Sequence, residues 1–137
     1  MSMIKKITEG IAKGIKSKFN EGYSIYTEAI EQGVKKPCFF ILNKACKFDP
    51  LLGKRGKITY CFEIEIYGKS REEVESILFE LFTALGFIDT EEGKLLGKNM
   101  SFSLEGDMGI FKCEYTIIIQ MQEEECEYME HLERKEV

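Results

Sequence analysis

Ile4, Ile7, Ile11, Ile15 and Phe19 recur every three or four residues along the first segment, a spacing that gathers them on one face of an α-helix. Lys5, Lys6, Lys13 and Lys16 fall on the opposite face, and Asn20 and Gly22 supply a stop. From Tyr23 the pattern shortens. Tyr23–Thr27 and the apolar run Cys38–Leu42, bounded by Pro37 and Asn43, have strand character. A polar stretch between Leu42 and Lys57, with Asp49-Pro50, Gly53 and Gly56, predicts a long exposed loop. Between Lys57 and Tyr67, Ile58, Tyr60, Phe62, Ile64 and Ile66 alternate with Thr59, Cys61, Glu63 and Glu65. That period of two predicts a strand with one face in the core and the other solvated or at an interface.

Ser70 and Glu73 form a capping-box pair that opens a helix over about 70–86. Val74, Ile77, Leu78, Leu81, Phe82 and Leu85 make its apolar stripe, with Gly86 as its C′ residue. A charged loop, Asp89–Lys98, then leads to a hairpin of Met100–Leu104 and Ile110–Met121 around Glu105–Gly109. Past Glu123 the chain is acidic, and Met129 and Leu132 hint at one short helix. The expected fold is α+β: a mostly antiparallel or mixed sheet of four to five strands, with both helices packed on one face. Residues 1–137 are expected to form a single domain with an acidic tail over about 123–137, since 137 residues suit one core.

Composition narrows the setting. The chain is 44% apolar and 31% charged, with two prolines, ordinary values for a globular protein. No run reaches the roughly 18 apolar residues of a membrane span, and the basic first segment is interrupted by Glu9, Gly10 and Lys13, unlike a signal peptide. Five scattered cysteines, several within apolar runs, point to buried thiols in a reducing compartment. The net charge of −5 is unevenly spread: residues 1–20 are basic and the segment after Met121 is acidic. In a head-to-tail oligomer such patches would attract across the interface.

The chemistry of a site is thin. His131 is the only histidine, and a Cys113–His131 pair has no local signature of a nucleophile and base. No C-x-x-C spacing, EF-hand loop or Gly-rich phosphate motif occurs, so neither a metal nor a cofactor is expected. The basic Gly53–Lys57 cluster and the lysines of the first helix are candidates for acidic neighbours or a phosphate backbone. The latter would make the chain a small nucleic-acid-binding domain, but its overall charge is acidic and no aromatic platform accompanies the lysines.

One stretch carries more. Tyr23-Ser24-Ile25-Tyr26-Thr27-Glu28, then Gln32-Gly33, then Pro37-Cys38-Phe39-Phe40-Ile41, followed by the 60–67 strand, the Leu78–Leu85 helix and the Tyr115 strand, resembles the tail terminator (tail completion) proteins of prophages and phage-derived tail particles in low-GC Gram-positive bacteria. The similarity runs from Ile4 to about Met121. It implies a structural protein, not an enzyme, that assembles as a hexameric ring on the head-proximal end of the tail tube. The ring would end tube polymerisation and dock the head connector or, in contractile tails, the sheath. Its partners would be further copies, tail tube, sheath and connector proteins, with no small-molecule substrate and no membrane. It would assemble in the cytoplasm of the producing bacterium and then be part of the phage or headless tail particle. Another head–tail joining or minor tail protein is the alternative within this class. Exposure arguments, rather than the resemblance, put subunit or tube contacts on Lys5, Lys13 and Lys16 of the first helix, on Lys54, Arg55 and Lys57, and on Asp107 and Met108 at the hairpin tip.

Overall fold

A computed structural model describes residues 2–19, 22–27 and 37–120 of the chain. In chain order its elements are α1 (Met3–Phe19), β1 (Ser24–Tyr26), β2 (Cys38–Pro50), β3 (Arg55–Tyr67), α2 (Arg71–Ala84), β4 (Phe87–Thr90), β5 (Gly93–Glu105) and β6 (Met108–Gln120). The strands form one curled sheet in the order β1-β2-β3-β6-β5-β4. Only β1 and β2 run parallel; every other pair is antiparallel.

The fold is α+β as expected, but the sheet has six strands, two of them short. The expected loop between Leu42 and Lys57 is mostly strand: β2 continues to Pro50, β3 starts at Arg55, and only 51–54 turn. Residues 44–50 of β2 are exposed on both faces, so no apolar alternation marks them. The expected loop Asp89–Lys98 is likewise a hairpin, with Phe87 opposite Leu96 and Thr90 opposite Gly93. The expected helix near Met129 and Leu132 lies outside the described residues.

Core positions follow the period of two. Phe39 and Ile41, then Phe62, Ile64 and Ile66, then Phe111, Cys113 and Tyr115 are buried on the side of the sheet that carries both helices. Ile7, Ile11 and Ile15 of α1 and Val74, Leu78 and Leu81 of α2 close over them with no exposure. At the turn between β5 and β6 only Gly106 and Asp107 separate the paired residues Glu105 and Met108, and Gly106 has φ 62°. A glycine at the first of two turn positions suits the II′ geometry that matches strand twist.

The two glycines of α1 lie at close approaches that its apolar stripe does not reveal. A Cβ on Gly10 would sit 2.9 Å from the Asp89 carbonyl oxygen, and one on Gly14 would sit 3.0 Å from that of Ala84. Their bare backbone therefore lets β4 and the end of α2 lie against the helix.

Ser70 caps α2 as predicted: in extended conformation, its Oγ accepts the Glu73 N–H at 3.1 Å. The return bond of the box reaches the Lys69 N–H, 3.4 Å from Glu73 Oε1, rather than that of Ser70. Ser70→Ala is expected to destabilise the protein by about 1 kcal/mol, a loss of roughly 4 °C in the melting temperature by calorimetry. Gly86 follows the C-cap Leu85 but is not left-handed. Its carbonyl instead accepts the Gly97 N–H at 2.7 Å, tying the end of α2 to β5.

Candidate assembly interface

The eight residues expected at contacts fall in three places. Lys5, Lys13 and Lys16 are exposed on α1. Lys54 and Arg55 are exposed at the β2–β3 turn, with Lys57 half-buried just below on β3. Asp107 and Met108 lie at the β5–β6 turn. The register sets the two turns apart: Arg55 pairs with Gln120 at one end of the β3–β6 ladder and Tyr67 with Met108 at the other. Twelve residue steps of strand put these ends roughly 40 Å apart. The structure thus does not bring the candidates into one site; it gives the ladder two opposite ends and the fold a basic flank.

Lys6, which the helical pattern grouped with the exposed lysines, is mostly buried and paired with Glu92 at 2.6 Å and Glu91 at 3.8 Å. Its hydrogen bond to Glu92 holds the ammonium above its ordinary pKa and the Glu92 carboxyl below its own. Lys6 therefore ties α1 to the β4–β5 turn. Lys13 and Lys18, with Gly10, Gly14 and Phe87, line a cleft of about 430 Å³ between α1 and the end of α2.

The face of the sheet opposite the helices is polar at its centre and aromatic at one end. Lys44 and Lys112 approach Glu63 at 3.9 and 4.0 Å. Two bulges cross this face at the same level. One, at 43–45 in β2, is held by Asn43, whose Nδ2 donates to the Ala45 and Cys61 carbonyls. The other, at 98–101 in β5, has Asn99 at φ 51° with its Nδ2 donating to Glu114 at 2.9 Å. Asparagine tolerates this left-handed backbone better than most residues. Toward the β1 end, Tyr26 stacks on Phe40 and Tyr67 meets the same ring edge-on. The large apolar side chains exposed elsewhere include Phe79, Phe87, Leu96 and Ile118. The sequence pattern did not single these out, because an exposed apolar residue is ordinary until its neighbours are known.

Beyond Phe40 the outer edge of β2 has no partner strand among the described residues, since β1 covers only Cys38–Phe40. An open edge of this length is a template for another strand.

The site holds little that could do chemistry. No group of three or more His, Cys, Asp or Glu side chains gathers at metal-binding distance among the described residues. Cys113 is 1% exposed, and burial pushes its thiol up to about 12, the opposite of a nucleophilic cysteine; His131 lies outside the described residues. A buried acid with a raised pKa stabilises the fold fully while it stays protonated in both states. Stability from Cys113 is therefore complete below pH about 9 and is lost as pH climbs toward 12, at about 1.4 kcal/mol per pH unit. Burial raises the Tyr115 hydroxyl in the same direction. Urea midpoints are expected to fall steeply above pH about 9, and less so in Cys113→Ala once its cavity cost is subtracted at neutral pH.

The sequence matches the family described as phage tail terminator protein over residues 6–127. The chain belongs to that family. No curated protein matches it. Membership makes this tail terminator a structural component of phage tails rather than a member of a known enzyme class. It also makes its place the virion, in assembly with other tail components. No helix among the described residues is long and apolar enough to cross a membrane.

Proposed function

We propose that this terminator forms a ring, six subunits around, that caps the head-proximal end of the tail tube and stops further tube protein from adding. The observation that carries the reading, beside the family, is the pair of turns at opposite ends of the β3–β6 ladder. A capping ring has to touch two different neighbours along the tail axis, and a subunit with two distant ends has a surface for each. The basic turn at Lys54 and Arg55 faces one way and the turn at Asp107 and Met108 the other. One end meets the tube, and the other meets the head connector or, in a contractile tail, the sheath.

Contacts around the ring draw on the flanks. The open β2 edge supports strand addition between neighbours, and the exposed Lys5, Lys13 and Lys16 support a contact with an acidic surface. On this reading the protein has no catalytic activity, needs no cofactor, assembles in the cytoplasm of the producing bacterium and ends in the particle.

Mass measurement of the purified chain, followed by negative-stain imaging with purified tail tubes, tests the proposal. Sixfold rings on one end of each tube are expected. A protein that stays monomeric and leaves both tube ends bare would refute it. Lys54→Glu with Arg55→Glu is expected to impair one axial contact and Asp107→Lys the other, each leaving ring formation intact. Charge reversal at Lys13 and Lys16 is expected to weaken the ring and its salt sensitivity instead.

A further inference from the structure

Beneath the first turn of α1 lies an apolar groove of about 370 Å³ whose walls are Met3, Ile4, Phe48, Ile58 and Tyr60. Ile4 is 37% exposed and Phe48 36%. Two large apolar side chains left open on opposite walls of one groove call for a cover. We propose that the groove seats residues 121–137 of the same chain, an acidic segment with an apolar side.

Three observations point to this occupant. The first is where β6 ends. Gln120 pairs with Arg55, and three residues earlier Ile117 pairs with the groove wall Ile58. One strand spacing of about 4.8 Å and three residues of rise, about 10 Å, separate the last residue of β6 from that wall. The following residues reach the groove with chain to spare. The second is pattern: Tyr128, Met129 and Leu132 recur at helical spacing among glutamates, enough apolar surface to meet Ile4 and Phe48. The third is charge. Between Glu123 and Glu136 the segment carries Arg134 and Lys135 as its cations against a majority of glutamates. The groove has Lys47 in its wall and the exposed Lys5 beside Ile4.

Tethering decides between this segment and the same segment of a neighbouring copy. A covalent tether gives an effective concentration in the millimolar range, which a free subunit at micromolar concentration does not offer to its neighbours. Seated there, the segment covers Ile4 and Phe48 in the free subunit.

Two cysteines make the test direct. Cys46 is exposed and lines the groove, and Cys126 lies within the segment. Treating the reduced full chain with diamide, which takes up two electrons and two protons as two thiols join, is expected to give an intrachain Cys46–Cys126 disulfide. Non-reducing peptide mapping of the monomer fraction would find it, and Cys46→Ser would remove it. A Cys46–Cys126 bond found only between chains would assign the groove to a neighbouring copy and overturn the proposal, as would failure of the two cysteines to join. Independently, Met129→Glu with Leu132→Glu in the full chain is expected to speed alkylation of Cys46 about tenfold, as two seated apolar side chains are released. Circular dichroism and continued protection of Cys113 would verify that this variant is folded. An unchanged Cys46 rate in the folded variant would also overturn the proposal.

Discussion

Phe62→Ala is expected to cost about 3–5 kcal/mol and to lower the melting temperature by roughly 10–20 °C. The magnitude follows from position. Phe62 sits in the middle of β3, 1% exposed, with Asn43 opposite it on one side and Cys113 on the other. Its ring meets that of Tyr115 edge-on at 6.4 Å. Removing it opens a cavity walled by rigid sheet, which collapses little. Since total stability for a domain is about 5–15 kcal/mol, this one change removes a large share. Tyr115→Phe separates packing from hydrogen bonding at the same place. The Tyr115 hydroxyl donates to the Leu85 carbonyl at 2.8 Å in a fully buried setting. Losing it is expected to cost about 1–2 kcal/mol, well below the Phe62 loss. Chemical denaturation of both variants checks the order; a Phe62→Ala loss smaller than that of Tyr115→Phe would contradict this core.

Phe62 was legible in the sequence because its strand keeps a strict period of two against one buried face, as does Phe111–Ile117 of β6. Where strands leave the helices, that signal disappears. Residues 44–50 of β2 are exposed on both faces, and most of β5 before Met100 is exposed too, so neither shows an apolar alternation and both resembled loops. Their strand character comes from pairing with β3 and β4, a tertiary fact. Lys6 illustrates a similar limit: helical spacing put it with the free lysines, while the β4–β5 turn, itself read as loop, brings Glu92 to it. The candidate contact residues were found by charge and turn chemistry. That the two turns among them occupy opposite ends of one ladder depends on register, which spacing along the chain does not encode.

The close approach of α1 to β4 sets up the second large effect. Gly10 and Gly14 interrupt the apolar stripe and, on propensity alone, weaken the helix by about 1 kcal/mol each relative to alanine. Replacing Gly10 should then stabilise the protein if space were free. It is not free: a Cβ would meet the Asp89 carbonyl oxygen at 2.9 Å, the Ile88 Cδ1 at 3.3 Å and the Thr90 Cγ2 at 3.3 Å. The first of these is backbone held in the β4–β5 pairing, which cannot swing aside as a side chain would. Overpacking at such sites costs about 1–3 kcal/mol, so Gly10→Ala is expected to be a net loss despite its better propensity. Gly10→Leu keeps good helix propensity and adds three more carbons against the same strand. It is expected to cost about 3 kcal/mol and roughly 10 °C of melting temperature. The same displacement would part Lys6 from Glu92 and reshape the cleft that Lys13, Lys18 and Phe87 line. Gly10→Leu should therefore weaken assembly more than an equally destabilising core change that leaves β4 in place. Thermal unfolding of Gly10→Ala and Gly10→Leu beside the wild type decides it. Wild-type melting temperatures in both would mean that β4 does not press on α1 as described.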